Sequence, residues 1–104
     1  MASSQKYLDY VLEQLNGLED ITYRKMMGEY ILYYQGKIVG GIYDDRLLVK
    51  PVATAIAYMK EPVYEYPYTS AKEMLLVKEV DDSSFIKGLF KVMVDELPMP
   101  KKKK

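Results

Sequence analysis

The stretch Ile21 to Lys50, ITYRKMMGEYILYYQGKIVGGIYDDRLLVK, divides into four short runs rich in tyrosine and β-branched residues: Ile21–Met26, Glu29–Tyr34, Lys37–Tyr43 and Arg46–Lys50. Such composition fits a pleated, half-buried surface, so each run reads as a strand. Gln35-Gly36 and Asp44-Asp45 each supply a two-residue hairpin loop, which predicts that three consecutive strands form an antiparallel meander. Gly28 separates the first strand from it. Within Glu29–Tyr34, the alternation of Glu29, Ile31 and Tyr33 against Tyr30, Leu32 and Tyr34 puts large side chains on both faces. One face should lie under helices, and the other should carry a tyrosine-rich surface. Gly40-Gly41 inside a strand points to a bulge or to the close approach of a packing element.

On the N-terminal side, Leu8, Val11, Leu12 and Leu15 recur at the spacing of one helix face between Ser4 and Asn16, with Ser3 or Ser4 as N-cap and Gly17 as the stop. On the C-terminal side, Pro51 opens a short helix over Val52–Met59, which Pro62 ends. Val63–Tyr68 has strand composition, but Pro67 confines it to an edge or an extended loop, and Glu73–Val77 reads as a buried strand. Asp81 or Asp82 caps a last helix whose stripe of Ile86, Leu89, Phe90, Met93, Val94 and Leu97 is broad enough to be a core face. This order predicts an α+β two-layer sandwich, an antiparallel sheet of five to six strands with helices on one face. Residues 1–97 are expected to form a single domain, and Pro98 to Lys104 a disordered lysine-rich tail.

The hydrophobic fraction of 49% with 29% charged residues is that of a chain that folds. The formal charge of zero is uneven: without Lys101 to Lys104, eleven basic residues face fifteen acidic ones, a net of −4. A body of that sign repels a phosphate backbone, which disfavours tight nucleic-acid binding by the folded part. The absence of cysteine removes any tie to an oxidising compartment. With no apolar signal core and no membrane-length apolar run, a cytoplasmic location is expected.

With no histidine and no cysteine, the commonest proton carrier and the commonest nucleophilic thiol are missing, and the expectation is a binding protein, not an enzyme. Asp44-Asp45 and Asp81-Asp82 fall where turn and N-cap chemistry account for aspartate. Neither a calcium loop nor a phosphate-cradling glycine pattern is present, so no cofactor and no metal are called for. An enzyme would have to work with Glu29, Glu73 or another carboxylate beside tyrosine or lysine.

Eleven tyrosines and no tryptophan point to interfaces, because tyrosine offers rigid contact area with a polar tip. Tyr64, Tyr66 and Tyr68 share one side if their segment is extended, and Tyr30 and Tyr34 are further candidates; for all five, self-coverage within the domain competes with partner binding. A protein partner, which includes a second copy joined along Val63–Tyr68, is the leading expectation. The alternative is nucleic-acid association through Lys101 to Lys104 with help from Lys87 and Lys91.

The run Arg24-Lys25-Met26-Met27-Gly28-Glu29-Tyr30-Ile31-Leu32-Tyr33, then Gly36-Lys37, then Gly41 through Lys50, resembles the N-terminal domain of the TfoX/Sxy family. The match runs from about Ile21 to Pro51 and, more loosely, from Glu73 to Leu97. The sequence departs from the family at Met27, where phenylalanine is usual, at Ile31, where glycine is common, and at Met74-Leu75-Leu76. The resemblance implies a layout of the α-β(3)-α-β(2)-α sort and a non-catalytic role connected with competence and transcription regulation. It supplies no catalytic residues. It marks Arg24, Met26, Gly28, Tyr30, Gly36 and Lys50 as motif positions with structural uses. Full-length regulators of the family carry a second, helical domain, so this chain is expected to act as a stand-alone N-terminal-like domain.

Overall fold

In the computed structural model, which describes residues 5–26, 28–59, 61–68 and 71–97, the chain runs α1 (Gln5–Gln14), β1 (Ile21–Met26), β2 (Glu29–Tyr34), β3 (Lys37–Ile42), β4 (Leu47–Val49), α2 (Ala53–Tyr58), β5 (Tyr64–Glu65), β6 (Met74–Leu76) and α3 (Ser83–Met93), followed by a 3-10 turn over Val94–Glu96. All strand pairs are antiparallel, in the order β1-β2-β3-β4-β6-β5. The two-layer α+β sandwich is thus as expected, with one strand more in its first run than the α-β(3)-α-β(2)-α pattern. The meander also extends to β1, which pairs with β2 over its whole length, from Ile21 opposite Tyr34 to Met26 opposite Glu29. Gly28, at φ +84°, turns the chain between them and does not end the sheet.

Both two-residue loops take the left-handed conformation at each position: Gln35 and Gly36 at φ +55° and +79°, Asp44 and Asp45 at +54° and +55°. Paired positive φ values match the twist of a hairpin, and asparagine-like short side chains tolerate them better than most. Between β2 and β3 the register slips, with Leu32 opposite Gly40 but Tyr33 opposite Ile38. Val39 is the extra residue of this bulge; its carbonyl accepts from the Lys50 backbone N–H at 3.0 Å, and its side chain is buried. Gly40 needs its missing side chain because a Cβ there would meet the Leu48 carbonyl and lie 2.7 Å from Val49 Cα. The close approach is therefore made by β4 and not by a helix.

The helices cover the face that bears Tyr30, Leu32, Tyr34, Ile42, Val49 and Leu75. Leu8, Val11 and Leu15 from α1 and Ile86, Leu89, Phe90 and Met93 from α3 complete this core, and Phe90, fully buried, lies 6.1 Å from the Tyr34 ring. Full burial of a phenylalanine contributes about 2–3 kcal/mol. Gly17 ends α1 at φ +99°, and α3 returns to that end: Ser83 Oγ donates to the Gln14 carbonyl at 2.6 Å, and Lys87 Nζ to the Asn16 carbonyl at 3.1 Å. Cations there satisfy orphan carbonyls and the negative end of the helix dipole. Asp82 is the residue that caps α3, accepting from Phe85 N at 3.1 Å. Glu96 in turn accepts from the backbone N–H and the hydroxyl of Thr54 at 2.8 and 3.0 Å, closing the start of α2. Ser3, Ser4, Met27 and the tail Pro98 to Lys104 lie outside the described residues.

Candidate functional site

Alternation decides what β2 offers to the two sides of the sheet. Tyr30 and Tyr34 are 3% and 5% exposed and sit in the core under the helices, so they give no binding surface in this fold. Tyr30 is held at its tip by Gln5, its hydroxyl donating to Oε1 at 3.4 Å, and at its edge by Tyr23, with ring centroids 5.9 Å apart. The opposite face carries Glu29, Ile31 and Tyr33, and Ile31 belongs to a row of cross-strand neighbours: Arg24, Ile31, Gly41, Leu48 and Leu76. Leu48 is fully buried although both its chain neighbours point into the helix-side core. Something therefore covers the open face at β4.

That cover is the segment after β5, and Arg46 fastens it. The guanidinium makes an ion pair with Glu65 Oε1 at 2.7 Å through Nη1, donates to the Tyr66 and Pro67 carbonyls at 3.1 and 3.3 Å through Nη2, and donates to its own hairpin at the Tyr43 carbonyl at 3.1 Å through Nε. The planar fork of arginine is what lets one side chain serve four acceptors. Pro67 is buried by this arrangement, and Tyr68 comes to rest beside Tyr43, ring centroids 6.1 Å apart. The Tyr43 ring lies over Gly41, where a Cβ would be 2.7 Å from a ring carbon and 2.6 Å from the Tyr30 carbonyl.

The tyrosine pair forms a wall between two clefts. The first, about 390 Å³, is lined by Met26, Glu29, Ile31, Tyr43 and Tyr68 and is mostly apolar. The second, about 460 Å³, lies beyond the pair, among Lys50, Pro51, Pro67, Lys72 and Glu73. Burial raises the Tyr43 pKa, and the neighbouring Tyr68, Glu29 and Tyr33 raise it further, so its phenol is a neutral wall and hydrogen-bond donor at physiological pH. Glu29 is half-buried at the rim of the first cleft, and its Oε1 accepts from Asp44 N at 3.1 Å. Glu73 is exposed on the second. Among the described residues, no group of three or more Asp, Glu, His or Cys could hold a metal ion, and no helix is long and apolar enough to cross a membrane.

Of the tyrosines expected at a binding surface, Tyr64, Tyr66 and Tyr68 are 44%, 58% and 61% exposed, and only Tyr64–Glu65 is strand. The structure brings Tyr68, but neither Tyr30 nor Tyr34, to the clefts. Among the motif positions, Gly28 and Gly36 are turn residues with positive φ, Tyr30 is core, Arg24 is exposed on β1, Met26 walls the first cleft and Lys50 lines the second. Tyr43 and Ile31 are cleft residues that composition did not single out, and Arg46 holds the neighbouring segment in place. The signal for Tyr43 was present: Gly41 and Tyr43 are two apart and share a face, so the glycine leaves room for the ring.

A model of the TfoX N-terminal domain family matches residues 13–87, from the end of α1 into α3. A relative 30% identical over 105 residues, covering all of this chain and 91% of the relative, is an uncharacterized 12.7 kDa protein in the trpE 5′ region of Spirochaeta aurantia. No solved structure matches.

Proposed function

The chain belongs to the TfoX N-terminal domain family, and we propose that it is a non-catalytic regulatory domain that holds a protein partner against the open face of its sheet. The observation that carries this reading is the apolar cleft walled by Met26, Ile31, Tyr43 and Tyr68 on the face that none of the described helices covers. Its size and lining suit one apolar or aromatic side chain, and the Glu29 carboxylate at the rim favours a cation beside that anchor. Tyr64 pairs opposite Leu75 and so belongs to the helix-side face, apart from this surface. Membership of this family supports a role for that binding in competence or transcription control, and a cysteine-free chain suits the cytoplasm. A protein is favoured over nucleic acid because the body is acidic and because Lys87 already serves the C-terminal end of α1.

The test is capture of cytoplasmic proteins on the immobilised full chain beside two variants, Ile31→Glu and Tyr68→Ala, each checked for an unchanged circular-dichroism spectrum. Ile31→Glu puts a charge in the cleft floor, and Tyr68→Ala removes one wall. A specific partner should be retained by the native chain and lost from both. Retention of the same proteins by all three would overturn the reading.

A further inference from the structure

The edge strand β1 is exposed from Thr22 to Met26, and no described strand pairs with its outer side. Its backbone is directed for pairing. Asp20 gives its carbonyl to Gln35 N at 2.9 Å, toward β2, so by the alternation of an antiparallel ladder the N–H and C=O groups of Ile21, Tyr23 and Lys25 point outward from the sheet. Such an edge is a template for another strand unless its side chains forbid it.

Here the side chains forbid most strands and match one. The segment Glu19-Asp20-Ile21-Thr22-Tyr23-Arg24-Lys25 is self-complementary about Thr22. Laid antiparallel against a second copy on that centre, Thr22 faces Thr22 and Ile21 faces Tyr23, while the acidic turn Glu19-Asp20, where Asp20 leaves the extended conformation at φ +64°, lies beside Arg24-Lys25 of the other copy. β-branched with aromatic, threonine with threonine and opposite charges are all favourable cross-strand pairs. A two-fold axis normal to the sheet requires that facing residues share a face, and only registers centred on a residue satisfy this. Centring on Arg24 instead would set like charges opposite each other. Among the described residues, none of Glu19, Asp20, Arg24 and Lys25 is ion-paired within the chain. We propose that two copies of this chain join through β1 about Thr22, merging their sheets into one of twelve strands and leaving the open-face clefts free for a partner.

The outward pair Ile21 and Tyr23 supplies the hydrogen bonds, so Thr22 falls at a non-hydrogen-bonded site, where Cα atoms lie about 4.5 Å apart. That distance is within disulfide reach. The chain has no cysteine, so Thr22→Cys carries a single thiol. Mild oxidation of the folded Thr22→Cys protein should give a covalent dimer, while Met26→Cys, eight residues out of register with its own copy, should not. Sedimentation equilibrium should show the double variants Arg24→Glu/Lys25→Glu and Glu19→Lys/Asp20→Lys weakened on the order of thirtyfold each, and an equimolar mixture of the two restored. A monomer at several hundred micromolar, cross-linking of Met26→Cys as fast as Thr22→Cys, or a mixture no tighter than its components would each overturn the proposal.

Discussion

Replacing Arg46 by methionine removes the fastening of the open face while keeping an unbranched, flexible stem. The loss comprises one ion pair to Glu65 and donations to the Tyr66, Pro67 and Tyr43 carbonyls. The Arg46 and Glu65 side chains are 28% and 39% exposed, so solvent screens the pair and its share is about 0.5 kcal/mol. The carbonyl bonds contribute about 0.5 kcal/mol each at this exposure, which brings the total to about 2 kcal/mol. In a domain of this size that corresponds to a fall of roughly 8 °C in Tm. Urea unfolding followed by circular dichroism measures the stability, and nuclear Overhauser contacts between the Tyr43 and Tyr68 rings report the local effect. Arg46→Met should lose those contacts while the β1–β4 hairpins keep theirs. Arg46→Lys should recover no more than about half of the stability, since an ammonium cannot reproduce the fork. A cost for Arg46→Met below about 0.5 kcal/mol with the ring contacts intact would refute the fastening role.

Gly41→Ala should cost about 2–3 kcal/mol in the same unfolding assay and expel the Tyr43 ring from its place, because the new methyl group meets that ring and the Tyr30 carbonyl. Asp82→Ala should cost about 1 kcal/mol through loss of the α3 cap, and Asp82→Asn should restore most of it. The pKa values of Tyr7 and Tyr43 are raised, chiefly by burial, from the ordinary value near 10. Both phenols therefore favour the folded state in their neutral form, a contribution complete below about pH 10 and lost as pH rises through the folded values. Ultraviolet titration of phenolate should show two groups ionising late, with Tyr43→Phe removing one.

The turn chemistry of Gln35-Gly36 and Asp44-Asp45 is local, which is why the hairpins are legible residue by residue. The helices are legible for the same reason, through the spacing of Leu8, Val11 and Leu15 and of Ile86, Leu89, Phe90 and Met93. Gly28 misleads, since a glycine between two strands can either end a sheet or turn it, and only the long ladder between β1 and β2 decides. The site is less legible than the fold. Tyr30 and Tyr34 share their residue type with Tyr43 and Tyr68, and which tyrosines face out depends on where α1 and α3 settle. Arg46 acquires its role from residues nineteen to twenty-one positions away, a separation that no local pattern encodes.

The contribution of α3 bears on synthesis. The strands β1 to β4 connect through tight turns and can pair as soon as they leave the ribosome, since hairpins form in microseconds and translation adds about 5–20 residues each second. Phe90 and Met93, which seal the underside of that sheet, are made some forty residues after Val49. For roughly two to eight seconds the nascent meander therefore shows Tyr30, Leu32 and Tyr34 to solvent. A stop codon before Ser83 would make that interval permanent, and the truncated chain would be a client of chaperones and proteases instead of a smaller version of the domain.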